Sequence, residues 1–204
     1  MLQENCFVVS DETLQAVIID CGAYYESERK AIVGYINDNR LNVRHLLCTH
    51  GHFDHVMGND TICSHYDVKP MIHQADNALL QSLPMQMNVM MGLEFHRDVP
   101  QSGGYLDDGD EVSFGNHRFK VLHTPGHTPG GVVFWCEEEK IVFSGDTLFR
   151  MSVGRTDFEG GSWEDLLQSL QEVLAPLPND TTVYCGHGPN TTIGMERAMN
   201  PFMK

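Results

Sequence analysis

Short apolar runs bounded by turn-forming residues dominate this chain, and most are too short to be helices. Cys6-Phe7-Val8-Val9 and Gln15-Ala16-Val17-Ile18-Ile19-Asp20 predict two strands of a hairpin around the polar turn Ser10-Asp11-Glu12. Val43-Arg44-His45-Leu46-Leu47-Cys48 predicts a third, buried strand, and Pro70-Met71-Ile72 a short fourth. Further along, Glu111 to Phe114, His117 to His123, Gly131 to Cys136 and Lys140 to Ser144 predict a meander of strands, and Thr182 to Cys185 a final one.

Helical spacing appears between these runs. Ala31, Ile32, Tyr35 and Ile36 mark one face of a helix over Tyr25 to Asn39. A short helix is expected over Asp60 to Tyr66 and a longer one over Gln74 to Leu83. An amphipathic helix over Ser162 to Leu174 has Ser162 as its N-cap and Glu164 and Asp165 in its first turn, and Pro176 and Pro178 end it. Residues 84–104 read as irregular, with Met85, Met87, Met90 and Met91 packing beneath a loop. Strand–helix–strand order in the first half indicates α/β layering. No fixed-period repeat or linker divides the chain, so residues 1–204 read as one domain.

Composition narrows the function. With 13 Lys+Arg against 28 Asp+Glu the formal charge is −15, and no basic run could neutralise a nucleic-acid backbone or dock on anionic lipid. Nucleic acid and membrane are therefore not expected as partners, and a homo-oligomer stays open. Six cysteines without a Cys-x-x-Cys pair read as free thiols of a reducing cytoplasm. The first residues show neither the basic nor the apolar region of a secretion signal.

The chemistry is concentrated in Thr49-His50-Gly51-His52-Phe53-Asp54-His55, directly after the third strand. His50 and His52, two residues apart, can aim both rings at one point from an extended turn, and Asp54 and His55 follow at the start of the next element. Neutral imidazole and carboxylate are ligands that zinc, iron and manganese accept. Three other strand ends carry a ligand-type residue among turn formers: His127 in Thr124-Pro125-Gly126-His127-Thr128-Pro129-Gly130, Asp146 in Ser144-Gly145-Asp146-Thr147, and His187 in Cys185-Gly186-His187-Gly188. Together they suit two metals sharing a carboxylate. His45, His65, His73, His96, His117 and His123 read as structural, with His123, close to the His127 turn, the first exception.

The segments THGHFDH, TPGHTPG, SGDTLF and CGHGP make the whole chain resemble the metallo-β-lactamase-fold hydrolases. The resemblance implies a four-layer αββα sandwich of the α/β (α+β) class with metals at one edge. It also implies that His50, His52 and His127 hold one divalent ion, that Asp54, His55 and His187 hold a second, and that Asp146 bridges them. Asp20 would buttress ligands from behind. Cys21 stands where the family commonly has proline. The implied ion is zinc, with iron or manganese as alternatives.

Within the fold, the run from Gly145 to Phe158 is similar to the short, glyoxalase II-like branch. That implies hydrolysis of a thioester such as S-D-lactoylglutathione by a metal-bridging hydroxide, which Asp54 would orient. Phe149, Arg150 and Arg155 are the candidate substrate contacts, with pairing of the arginines to Asp157 or Glu159 as the alternative. Full-length glyoxalase II has a C-terminal helical extension with glutathione contacts, and this sequence ends soon after CGHGP, which leaves another thioester or ester open. A mononuclear-iron persulfide dioxygenase is the main alternative, followed by a lactonase and a non-catalytic metal-binding module. A β-lactamase is disfavoured because Asp146 stands where those enzymes often have cysteine.

Overall fold

A computed structural model describes residues 2–203. The chain opens with β1 (Phe7–Ser10), β2 (Gln15–Ile19), α1 (Glu26–Asp38) and β3 (Asn42–Leu47). Then come α2 (Phe53–Val56), α3 (Asn59–Tyr66), β4 (Pro70–Ile72), a 3-10 turn at Gln74–Asp76, α4 (Asn77–Gln81), α5 (Leu83–Met91) and β5 (Gly104–Tyr105). The second half contains β6 (Glu111–Phe114), β7 (His117–His123), β8 (Val132–Cys136), β9 (Ile141–Gly145), β10 (Leu148–Phe149) and β11 (Ser152–Val153). It closes with α6 (Trp163–Gln168), a π-helical turn at Ser169–Leu174, β12 (Thr182–Cys185), β13 (Thr191–Thr192) and α7 (Ile193–Met199).

One sheet runs β1-β2-β3-β4-β5, the other β13-β12-β9-β8-β7-β6, and β10 pairs with β11 apart from both. Strand β3 lies parallel to β2, as a crossover through α1 requires. The predicted meander β6 to β9 is antiparallel throughout.

The apolar runs are continuous because their strands are buried on both faces. Val17 and Ile19 of β2 face the second sheet and pack with Phe119, Val121, Phe134 and Phe143. Ile18, between them, faces outward against Ile36 of α1 and Ile62 of α3. On the other sheet Phe134 points inward, while Val133 turns out towards Leu166, Leu170 and Leu174. Helices thus cover both outer faces, and the layers are αββα.

The structure corrects two expected elements. The helix expected over Gln74 to Leu83 is a 3-10 turn and α4, broken at Ser82. The methionine segment, expected to be irregular, forms α5 over Leu83–Met91. Pro84 sits in its first turn, where a missing N–H costs nothing, and Gly92 ends it at φ 65°. Ser162 caps α6 as expected, accepting from the Asp165 N–H, but the helix widens into the π turn from Ser169.

At the strand ends opposite Asp20, charged side chains tie the two sheets. Asp11 accepts the Asn116 N–H at 2.6 Å, and His117 reaches Glu139 at 3.1 Å and Asp11 at 3.6 Å. The hydrogen bond to Glu139 raises the pKa of His117, with partial burial opposing and Asp11 adding to the rise. A folded-state pKa above the ordinary value of about 6.5 gives stability that is present below that pH and lost as pH rises through the raised value. His117→Gln is therefore expected to lower the urea midpoint more at about pH 6 than at about pH 9. Equal losses at both pH values would contradict this ion-pair role.

Candidate metal centre

The ligand-type residues of the four motifs sit beyond strand ends or in the short helix α2, at one edge of the sandwich. His50 and His52 follow β3, and His52 is the N-cap residue of α2, which carries Asp54 and His55. His127 lies in the loop between β7 and β8, Asp146 directly after β9, and His187 two residues after β12. Gly145 turns the chain at φ 47°, and a Cβ there would lie 2.4 Å from Thr49 Oγ1, so glycine alone permits this approach of β9 to the His50 loop.

The side chains converge into two trios. His50, His52 and His127 bring ligand atoms within 4.8 Å of one another, and so do Asp54, His55 and His187. His52 Nδ1 and His127 Nε2 are 2.9 Å apart. His187 Nε2 lies 3.4 Å from Asp54 Oδ2. Asp146 stands between the trios, 3.3 Å from His55 Nε2 and 3.6 Å from both His127 Nε2 and His187 Nε2.

Partners behind the rings decide which nitrogen faces inward. Asp20 accepts from His55 Nδ1 at 2.9 Å and from the Thr49 N–H and hydroxyl at 2.7 Å each. The Arg155 carbonyl accepts from His127 Nδ1 at 2.6 Å. Both rings therefore present Nε2 to the centre.

The electrostatics favour neutral rings in one trio and charge in the other. Burial, then the neighbouring imidazoles, push His50 well below its ordinary pKa, and the same causes bring His52 to about 3. Burial lowers His127 too, against the pull of Asp146. Burial works against the charge on Asp54, but the hydrogen bond to His187 and the charges of His55 and His187 outweigh it and hold the carboxyl at about 2. Burial likewise opposes charge on His55, yet Asp146 and Asp20 raise its pKa well above the ordinary value. Three carboxylates at this edge thus call for positive charge beside them.

The donor set fits divalent cations. His50 Nε2 is buried with no hydrogen-bond partner, a costly state that coordination would relieve, and Asp146 Oδ1 has only the 3.3 Å approach of His55 Nε2. Nitrogen and oxygen donors of this kind, without sulfur, suit zinc, iron and manganese.

The metallo-beta-lactamase superfamily profile matches residues 1–187. The chain belongs to this superfamily. This metallo-beta-lactamase-fold chain is a metal-dependent hydrolase by family. It is 38% identical over 202 residues to hydroxyacylglutathione hydrolase GloC of Haemophilus influenzae, with 98% of this chain and 93% of GloC covered. Among solved structures, the BLEG-1 B3 metallo-beta-lactamase matches with a TM-score of 0.91 at 34% identity, covering 100% of this chain and 95% of that one. TTHA1623, solved in a di-iron-bound form, matches with a TM-score of 0.86 at 37% identity, covering 98% and 96%.

The candidate substrate contacts are placed less uniformly. Phe149 meets the His187 ring edge to face at 6.0 Å. Arg150 lies exposed on the turn between β10 and β11. Arg155 forms a two-pronged ion pair with Asp157 at 2.6 Å, and its guanidinium covers Phe158, which in turn contacts His52. The alternative pairing with Asp157 is the one observed.

Three bracing residues were not singled out from the sequence. Asp76 accepts the Gly51 and Gly130 N–H groups. Gln86 of α5 accepts the Phe53 N–H at 3.0 Å and donates to the Gly51 carbonyl at 3.1 Å. Asn5 donates to the Cys185 and Gly188 carbonyls and fastens the His187 loop. These partners are far away in sequence, so no local pattern announces them; a signal was available only at Gln86, an amide between two methionines.

Asp20→Ala would strand the buried donors of Thr49 and His55. It is expected to lower the unfolding free energy by about 1–3 kcal/mol for each donor left unpaired, as read by urea denaturation of the metal-free protein. An unchanged midpoint would count against the bracing role.

Proposed function

We propose that the protein is a dinuclear hydrolase of glyoxalase II type that cleaves S-D-lactoylglutathione or a related thioester. The observation that carries the substrate class is the identity with a protein named hydroxyacylglutathione hydrolase over nearly the full length of both chains. His50 Nε2, His52 Nδ1 and His127 Nε2 would hold one ion, Asp54, His55 and His187 the other, with Asp146 between them. Zinc is the expected metal, and the di-iron-bound relative makes iron the alternative to be measured against it.

Bound divalent ions supply Lewis acidity and a water made acidic enough to attack near neutral pH. The protein's own groups do the positioning. Asp54, ionised down to about pH 2, can accept a hydrogen bond from the attacking water and orient it to the carbonyl carbon. Asp20 and the Arg155 carbonyl keep His55 and His127 in the tautomers that point Nε2 inward. A thiolate leaves readily, so the thioester needs no strong general acid at the leaving sulfur. Phe149, beside His187, and the Arg155–Phe158 pair, beside His52, form the rim against which the acyl or thiol portion would lie. The small-molecule partner and a cytoplasmic location belong to the same reading. Among the described residues no helix is long and apolar enough to cross a membrane.

The likeness to BLEG-1 favours a second substrate, a β-lactam amide, whose cleavage would use the same donors.

Metal analysis with a substrate panel tests the reading. Wild-type protein is expected to carry two ions per chain and to hydrolyse S-D-lactoylglutathione faster than a β-lactam. His52→Ala and Asp146→Ala should reduce turnover to the buffer rate and lower bound metal while the circular dichroism spectrum is retained. Full activity in either variant would sink the ligand assignment, and cleavage of the β-lactam alone would replace the substrate class.

A further inference from the structure

Asp76 closes the 3-10 turn after β4 and is wholly buried. Its two carboxylate oxygens serve two different loops. Oδ2 accepts the N–H of Gly51, the residue between His50 and His52, at 2.9 Å. Oδ1 accepts the N–H of Gly130, three residues after His127, at 2.6 Å. Both loops press closely on this turn. A Cβ on Gly130 would lie 2.7 Å from Asp76 N and Oδ1, and one on Gly51 would lie 3.0 Å from the Asp76 carbonyl oxygen. A further contact that joins the two loops through the backbone is the Val132 N–H to the Thr49 carbonyl, 2.9 Å.

A carboxylate bonded to amides of two loops fixes their separation more stiffly than packing does, because charge-assisted hydrogen bonds are short and directional. The separation fixed here is the one that sets His50 and His52 against His127. Asp20 holds His55 of the other trio and, through Thr49, the start of the His50 loop, but does not reach the His127 loop; Asn5 holds the loop of His187.

We propose that Asp76 is a positioning residue for the His50–His52–His127 half of the centre: by holding the two histidine loops in register, it sets that half's affinity for a divalent cation and leaves the Asp54–His55–His187 half unaffected. The proposal rests on the ligand assignment made above. It assigns Asp76 no contact with substrate or ion.

Asp76→Asn keeps the side-chain volume but turns an NH2 group towards one of the two amides, donor against donor. Gly130→Ala disturbs the same contact from the opposite loop. Each variant would be stripped of metal and titrated with cobalt(II), with the ions counted by elemental analysis and the halves told apart by paramagnetically shifted imidazole N–H resonances. His127, whose Nδ1 donates to Arg155, reports on one half, and His55, whose Nδ1 donates to Asp20, on the other. Both variants are expected to weaken binding at the His127 half by about 10–100-fold, the usual effect of losing a group that orients a ligand. The His55 half should bind as in the wild type, and thermal unfolding should stay cooperative. A purely structural role would lower the melting temperature without splitting the two halves. Equal weakening of both halves, no weakening, or failure of both variants to fold would overturn the proposal. Fewer than two cobalt ions in the wild type would instead bring down the ligand assignment on which it rests.

Discussion

Burial of several carboxylates at one edge of the sandwich is the constraint from which the rest of the site follows. Asp20, Asp54 and Asp146 cluster among five imidazoles where water is largely excluded. Ionised groups removed from water are costly unless they are paired and hydrogen-bonded. Asp20 meets that condition with three donors, whereas Asp146 has only ring nitrogens at 3.3 to 3.6 Å. The centre is therefore held together by its backing and is incomplete at its middle, which is the electrostatic form of a cation site.

The backing needs rigid supports, and the two sheets supply them. Strands β2 and β3 run parallel, so their carboxyl ends deliver Asp20 and the His50 loop to the same edge. Strands β9 and β12 are also parallel and bring Asp146 and His187 there from the other sheet. Aromatic packing of Phe119, Phe134 and Phe143 between the sheets keeps these four ends at fixed spacing. The loop of His127 is braced from the helical side as well, where Ser169 in the π turn donates to the Pro125 carbonyl. π turns inside helices often mark such functional contacts.

Much of this was legible in the sequence because it is local. Strand runs such as Val17-Ile18-Ile19 carry their burial in their composition, and the four motifs carry donors flanked by glycine and proline. What escaped is either very short or long-range. Two-residue strands such as β10 and β11 lie below any periodic signal. Helix α5 was obscured by Pro84, which reads as a breaker although the first turn tolerates it, and its stop at Gly92 was an available clue. Asp76 and Gln86 act on amides and carbonyls 25 to 54 residues away, and spacing rules do not reach that far. Arg155, offered as a substrate contact, pairs with Asp157 two residues on, the pairing weighed beside that role.

The division between donors and rim has a consequence for how such proteins diverge. The donors hang from strand ends and are clamped from inside the fold. The proposed rim residues Phe149, Arg155 and Phe158 belong to β10 and the segment after β11, outside both main sheets. The clamp this segment supplies, the Arg155 carbonyl on His127, is a main-chain atom, so side chains there can change while it stays. A lineage could exchange one acyl compound for another while its inorganic chemistry stays constant, and a chain of this fold can match relatives named for thioester and for β-lactam hydrolysis at almost the same identity.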